Sequence, residues 1–198
     1  TLDIKEPGLN VLPPGVERHT VNMGGLTGLQ IFPDDQIEII NEEGDQICEI
    51  ICFDKNGKSE LGILSLKENI KKSFIKEILN NNDESSLITK LQLKKRNLNI
   101  NNSKSSIIFD KDTPSGEKVK LKSKDKCYVI FSAPKNEMLI SDQNPSGDLT
   151  IFIKRAKITK DKELSIIPDP VFEPSYEKNI NRQTCISYQV KEGDYIQV

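Results

Sequence analysis

The chain has 198 residues, enough for one good-sized domain or for one domain and the start of a second. Its 28 basic and 30 acidic residues leave a net charge of −2, which argues against a nucleic-acid or anionic-membrane surface, because such surfaces normally carry a basic excess. The chain contains no apolar run near the roughly 20 residues that a membrane helix needs. We therefore expect neither nucleic acid nor a membrane as a partner.

The first half of the chain begins with a Gly- and Pro-rich stretch, 1–25, that predicts an irregular leader. Residues 26–40 alternate well enough to predict a strand, and Glu43-Gly44-Asp45 predicts a tight turn. A second strand is predicted over 46–54. Its side chains should divide between two faces, with Ile47, Glu49, Ile51 and Phe53 on one and Cys48, Ile50 and Cys52 on the other.

The apolar period becomes helical over residues 65–79. Ser65 could cap this helix, and Glu68 would complete a capping box. A second, shorter helix is predicted from Ser85 or Ser86 to about Arg96. The apolar side chains that these two helices carry are Leu66, Ile70, Phe74, Ile75, Ile78, Leu79, Leu87, Ile88 and Leu91.

The remainder of the chain returns to short strands separated by Gly/Pro turns. Such spacing indicates a mainly β protein, an antiparallel sandwich or barrel, with the helical pair at 65–96 as an insertion packed on it. From Lys118 to Lys126 every second residue is basic, which indicates an edge strand that Lys guards against aggregation. The predicted strands are 105–110, 117–123, 126–133, 137–141, 149–155 and 164–167.

The last nine residues repeat an earlier pattern. Val190–Val198 and Ile31–Ile39 each have an apolar residue, three turn-prone residues ending in Asp, and then alternating apolar positions, and a Gln precedes both. Because a strand needs a partner for its backbone groups, we expect 187–198 to open a second, truncated copy. A Pro-rich extended linker at 157–186 would join it to the first domain at 1–156.

Catalytic and metal-binding patterns are weak. The single His, His19, lies in the predicted leader, and nucleophile–base chemistry usually needs a His. We expect it to be exposed or locally hydrogen-bonded. On a strand, Cys48 and Cys52 would lie about 13 Å apart at roughly 3.3 Å per residue, too far for one zinc. We expect no catalytic group and no metal site, and interpret the cysteines as reduced core thiols of a cytoplasmic protein.

Three polar clusters could bind an amine or guanidinium-like ligand, because each combines a carboxylate with an amide or a hydroxyl. Turn chemistry explains the same residues without a ligand, through hydrogen bonds to the local backbone, and both interpretations stay open. A small amidine or guanidine hydrolase would draw its site from the same clusters. The candidate residues are Gln46 and Glu49 near a hairpin turn, Asp112 and Ser115 in one loop, and Asp142 and Asn144 in another.

The turn and strand motifs resemble those of the urea-carboxylase-associated domain of unknown function. The resemblance begins at Gly24–Gly28, continues through the turn and strand at Pro33–Ile39, and includes Glu43–Gln46, where Gly-x-Gln heads the next strand. More specifically, the chain resembles the front of long bacterial proteins that carry two such domains before a folate-binding glycine-cleavage T-protein (aminomethyltransferase) module. Further stretches follow in the same order: Asp112–Gly116, Ser132–Pro134, Asp142–Pro145, Ile153–Ala156 and Tyr188–Gln197.

This resemblance implies a non-catalytic accessory β domain of a T-protein-like aminomethyltransferase. Its partners would be the downstream domains of the same polypeptide, and its ligand a small amine or guanidine-type compound. The resemblance places tetrahydrofolate in the downstream module and no cofactor in this segment. Two alternatives stay open. One is a hydrolase or deiminase, since some family members are deiminases of small guanidine-type compounds, and the other is a purely structural module that uses the Lys118–Lys124 edge as its interaction surface.

Overall fold

The described part of the computed structural model contains eight strands in two four-stranded antiparallel sheets. The described residues are 12–13, 15–70, 72–81, 83–135 and 147–157. The strands are β1 (Val16–Val21), β2 (Leu26–Ile31), β3 (Gln36–Asn41), β4 (Cys48–Asp54), β5 (Ser105–Phe109), β6 (Glu117–Lys122), β7 (Cys127–Ser132) and β8 (Leu149–Lys154). The predicted strands at 137–141 and 164–167, the linker beyond 157 and the second copy at 187–198 lie outside the described residues.

The strand order is that of a jelly roll. The first sheet has the order β1-β8-β3-β6 and the second has the order β2-β7-β4-β5, so successive strands from β1 to β4 alternate between the two sheets. Two interlocked Greek keys produce this order. The prediction of a mainly β antiparallel sandwich with a short two-helix insertion is confirmed.

The second sheet is buried on both faces, so the structure has two apolar cores. β4 shows how the alternation predicted from the sequence divides them: Cys48, Ile50 and Cys52 pack between the sheets, while Ile51 and Phe53 pack under the helices. β7 divides in the same way, with Val129 and Phe131 between the sheets and Tyr128 and Ile130 under the helices.

The insertion between β4 and β5 begins with a 3₁₀ helix, Leu61–Leu64, and continues with α1 (Phe74–Leu79) and α2 (Glu84–Lys95). The predicted start of the first helix at Ser65 is wrong. Ser65 has a left-handed backbone, φ 59°, and ends the 3₁₀ helix instead. Downstream, Asn69 binds both backbone groups of Ile107 at 2.7 and 3.0 Å, so this stretch attaches to β5 rather than coiling.

The prediction of an irregular leader over 1–25 is wrong for β1, which pairs with β8 along its whole length. The sequence shows no hydrophobic alternation over this strand, because two of its inward-facing residues, Glu17 and His19, are polar. The single strand predicted over 26–40 is two strands, β2 and β3, separated by a turn at Phe32–Asp35. This turn carries the chain from one sheet to the other.

β6 lies at the edge of the first sheet, as the alternating Lys pattern predicts. On the neighbouring strand β3, Glu38 Oε1 lies 3.1 Å from Lys120 Nζ. None of the helices in the described ranges combines the length and the apolar character needed to cross a bilayer.

Candidate functional site

Glu49 is fully buried on the helix-covered face of β4. Its Oε2 accepts a hydrogen bond of 2.8 Å from the backbone nitrogen of Ile75, in the first turn of α1. Its Oε1 is buried without a hydrogen-bond partner. The carboxylate therefore fastens the helix to the sheet with one oxygen and leaves the other free to accept from a donor.

Two further acceptors lie near the same end of β7. Ser132 is opposite Glu49 in the register of β4 and β7, which places their Cβ atoms about 5 Å apart, and its buried Oγ has no partner. Gln46 donates through Nε2 to the carbonyls of Ile47 and Pro134 at 2.9 and 3.0 Å, and its Oε1 is buried without a partner. We call Gln46, Glu49 and Ser132 the buried acceptor cluster.

Each of these three residues has one buried side-chain oxygen without a hydrogen-bond partner among the described residues, and the Ser132 hydroxyl can donate as well as accept. A buried polar atom without a partner costs free energy, so such atoms usually mark the position of a water or of a ligand that donates. A water or a small protonated amine has the chemistry that these oxygens require. Gln46 and Glu49 are predicted from the sequence, whereas Ser132 is not, since a Ser within an apolar strand gives no local signal.

A cleft of about 620 Å³ lies beside the cluster, between the start of β2 and α2. Leu26 lines it and is also the register partner of Ser132 in the pairing of β2 with β7, so the cleft lies one strand away from the cluster. Apolar Met23 and Ile88 line the same cleft, together with Asp83. Apolar and charged side chains thus line the same cleft, and the charged ones are Asp83, Glu84 and Lys135.

Asp112 and Ser115 are exposed in the loop between β5 and β6 and follow turn chemistry. The backbone nitrogen of Asp112 donates to Asp110 at 3.0 Å, and the Ser115 hydroxyl donates to the carbonyl of Glu42. The structure therefore joins this loop to the turn before β4, but it leaves Asp112 exposed while Glu49 is buried beneath α1. The remaining predicted residues, Asp142 and Asn144, lie outside the described residues.

Arg155 makes a second buried polar group that the sequence did not reveal. Its Nε and Nη2 donate to the two carboxylate oxygens of Glu17 at 2.6 and 2.7 Å, and its Nη1 donates to Asp35 at 2.7 Å. Arg155 Nη1 also reaches the carbonyl of Gln30 at 2.9 Å. We call Arg155, Glu17 and Asp35 the Arg155 clamp. It connects β1, the β2–β3 turn and the end of β8, and its Asp35 occupies the position that Asp194 holds in the sequence repeat.

The clamp shifts the ionisation of its members. Burial by itself raises the pKa of Glu17, but hydrogen bonds from His19 and Arg155 outweigh it and hold that pKa below its ordinary value. Burial by itself lowers the pKa of Arg155, and its bonds to Glu17 and Asp35 outweigh this and raise it. His19 is buried, and its Nε2 lies 3.2 Å from Glu17. It is therefore locally hydrogen-bonded, one of the two states expected from the sequence.

Three described cysteines are free, buried thiols, as core packing predicts: Cys48, Cys52 and Cys127. Burial raises the pKa of Cys48, and the hydrogen bond to Cys127, together with burial, raises that of Cys52. Within the described ranges, no group of three or more His, Cys, Asp or Glu side chains is placed to hold a metal ion. Cys185 lies outside them.

Comparison with known proteins gives one clear similarity. No protein-family model matches the chain. Over 195 residues, 98% of its length, the chain is 32% identical to trimethylamine-oxide aldolase of Ruegeria pomeroyi. The chain spans 25% of that protein's length. The chain, including its jelly roll, is therefore similar to one quarter of a trimethylamine-oxide aldolase.

Proposed function

We propose that this jelly roll is an accessory domain of a longer enzyme that cleaves a small methylated amine, with trimethylamine N-oxide as the substrate. The observation that carries the proposal is the identity to trimethylamine-oxide aldolase, because it extends over 98% of this chain and only 25% of the relative. Similarity of that extent supports the proposal that the jelly roll is one part of a larger polypeptide, and the name of the relative supports a role in amine metabolism.

The proposed overall reaction needs no external oxidant. Trimethylamine N-oxide gives dimethylamine and formaldehyde when its N–O bond and one C–N bond break, a C–O double bond forms on the released carbon, and one hydrogen of that methyl group moves to nitrogen. The methyl carbon is oxidised and the nitrogen is reduced within the same molecule. The resemblance to a T-protein-like fusion adds a downstream module in which tetrahydrofolate accepts the one-carbon unit. We assign no step of this chemistry to residues of the present chain. We place the enzyme in the cytoplasm, since the three described cysteines are free thiols.

The local geometry supports an accessory role. The guanidinium of Arg155 binds both carboxylates of the clamp and so connects β1, the end of β8 and the β2–β3 turn. Asp112 and Ser115 complete turns, and Glu49 fastens α1 to the sheet. The hydrogen bonds that these side chains make are bonds within the fold, which supports the proposal that the reaction takes place elsewhere in the polypeptide.

The alternative is a small amidine or guanidine hydrolase, and the unpaired Oε1 of Glu49 is the observation that favours it. A hydrolase would need Glu49, Gln46, Asp112 and Asp142 around one substrate. Glu49 is fully buried beneath α1, whereas Asp112 is exposed in the loop between β5 and β6. We therefore rank this alternative second.

Two preparations separate the functions: the full-length polypeptide encoded by the gene, and the 198-residue chain by itself. We expect the full-length protein to release formaldehyde and dimethylamine in equal amounts from trimethylamine N-oxide, and the 198-residue chain to release neither. An inert full-length protein would rule out this substrate. Ammonia release from urea or guanidine by the 198-residue chain, lost in Glu49→Ala, would establish the hydrolase instead.

A further inference from the structure

The helix α2 presents its apolar side chains to solvent. Leu87 is 48% exposed, Ile88 42% and Leu91 67%, while the buried positions of the helix are Ser86, Thr89 and Leu93. A helix that covers a sheet normally turns its apolar stripe inward and its polar residues outward. In α2, most of the large apolar side chains point the other way.

Polar contacts fix this orientation. The Ser86 hydroxyl donates to the carbonyl of Ile78 at 2.8 Å, which ties the buried side of α2 to the end of α1. Asp83 caps the helix through the Ser86 nitrogen at 2.8 Å and also accepts from the Ser85 hydroxyl at 2.9 Å. The Ser85 hydroxyl in turn accepts from the Leu26 nitrogen of β2 at 3.2 Å. Rotating the helix to bury its apolar stripe would break the two bonds that connect it to other elements, from Ser86 to Ile78 and from Leu26 to Ser85.

One further residue extends the exposed apolar area across the neighbouring cleft. Met23, in the turn between β1 and β2, is 41% exposed and lines the same 620 Å³ cleft as Ile88. Together with the three residues of α2, it completes the set of exposed large hydrophobic side chains among the described residues. We call Met23, Leu87, Ile88 and Leu91 the α2 surface. Contiguous exposed apolar patches beside a cleft mark protein–protein interaction sites.

We propose that the α2 surface is where the rest of the longer polypeptide docks, with one of its apolar side chains seated in the cleft between Met23 and Ile88. This inference rests on the proposed function. The match spans 25% of the relative, so about three times as much of the relative's chain lies outside it, and the proposed longer polypeptide would supply a comparable length to cover the surface. A domain tethered in the same polypeptide meets this surface at a high effective concentration, so a modest patch is sufficient.

Charged side chains surround the apolar residues of the α2 surface, as they do in an interface whose centre excludes water and whose rim is solvated. Asp83 and Glu84 lie at one end of the helix and Lys94 and Lys95 at the other, all of them exposed. Lys135 stands at the edge of the cleft. Interfaces between domains have this arrangement, with apolar residues at the centre and charged residues around them.

Thiol labelling tests the docking directly. Leu91→Cys places a thiol at the most exposed point of the α2 surface, and Lys118→Cys is the matched control on the exposed edge strand β6. Each variant is made in the full-length polypeptide and in the 198-residue chain, and maleimide modification is followed at that site by peptide mass spectrometry. In the full-length protein we expect residue 91 to react at least about tenfold more slowly than residue 118, because the core of an interface excludes water. In the 198-residue chain the two should react at similar rates.

Equal rates in the full-length protein would overturn the proposal. Slow labelling of residue 91 already in the 198-residue chain would also overturn it. If dilution then restored the labelling rate, a second copy would be covering the surface. If dilution had no effect, other residues of this chain would be covering it. The readout uses no substrate. If the full-length protein turned over trimethylamine N-oxide but maleimide labelled residue 91 quickly, only the docking proposal would be rejected. If labelling of residue 91 was slow but there was no turnover, only the proposed substrate would be rejected.

Discussion

Arg155 holds both carboxylate oxygens of Glu17 in a two-bond fork, at 2.6 and 2.7 Å, and so fastens the first strand of the jelly roll to the end of the last. The third guanidinium nitrogen binds Asp35, whose side chain is only 1% exposed, and whose other oxygen accepts from the backbone of Ala156 at 2.9 Å. Bidentate bonds of this kind are the strongest ion pairs available to a protein. The clamp therefore closes one end of the sandwich.

Arg155→Ala is expected to lower the free energy of unfolding by about 3–5 kcal/mol, because Glu17 and Asp35 would remain buried without their counter-ion. Lys154→Ala is the matched control, since Lys154 is the exposed neighbour of Arg155, and it should change stability by no more than about 0.5 kcal/mol. Arg155→Lys should recover only part of the loss, because an ammonium cannot form the fork. Urea unfolding of the four proteins measures these differences, and similar losses in the two alanine variants would contradict the role of the clamp.

The stability that Glu17 provides should depend on pH. Its pKa is lowered in the folded state, so its contribution is present above the unfolded value of about 4.3 and is lost as the pH falls through the lower folded value. We expect Glu17→Gln to be less stable than the wild type by about 2–3 kcal/mol at pH 7. The gap should shrink steadily below about pH 4.5. Urea unfolding of both proteins from about pH 3 to about pH 7, the range in which Glu17 titrates, tests this. If the difference in free energy of unfolding stayed constant, the charge of Glu17 would not be what stabilises the fold.

Sequence reasoning recovered the fold class where side chains alternate cleanly. β4 shows this best, since both of its apolar faces are buried, and its cysteines share one face and lie in the core, as predicted. β1 was not predicted, because its inward positions Glu17 and His19 carry charged or polar groups, which bind each other and, through Glu17, Arg155. A strand whose buried row is polar has no hydrophobic period to read.

The candidate site was recovered in part for a related reason. Gln46 and Glu49 stand out because they are polar residues beside a turn, which is a local property. Ser132 becomes their neighbour only through the pairing of β4 with β7, which is set by the whole sheet. One feature of the sequence does single out Asp35: the sequence repeat has an Asp at the equivalent position, Asp194.

Glu49→Gln tests whether the missing hydrogen-bond donors in the buried acceptor cluster lower the free energy of unfolding. The new side chain keeps an oxygen for the Ile75 nitrogen and offers an amide donor to Ser132, its register partner, whose Oγ has no partner. We expect it to match the wild type or to exceed its free energy of unfolding by about 1 kcal/mol. Glu49→Ala should lose about 2–3 kcal/mol, because the bond to α1 disappears and a cavity opens. If Gln destabilised the protein as much as Ala, the negative charge itself would be required, as it is when the cluster binds a cation.

Gly28 and Tyr128 offer a test of packing under the helices. A Cβ at position 28 would overlap the Tyr128 hydroxyl and lie 2.7 Å from its Cζ, and the ring is held in place beneath the guanidinium of Arg96, 4.7 Å from the ring centre. Burial raises the pKa of Tyr128 to about 12, and its hydroxyl has no hydrogen-bond partner. Gly28→Ala should therefore lower the free energy of unfolding by about 1–3 kcal/mol.

Tyr128→Phe removes the overlapping and unpaired hydroxyl, so the single variant should be neutral or slightly stabilised. Combined with Gly28→Ala, it should restore part of the lost stability, which gives a favourable coupling of about 0.5–2 kcal/mol in a double-mutant cycle. The recovery stays partial because the new methyl still meets the ring carbon. Additive effects of the two substitutions would mean that the sheet moves to admit the methyl group, and that Gly28 is not needed to make room for the tyrosine.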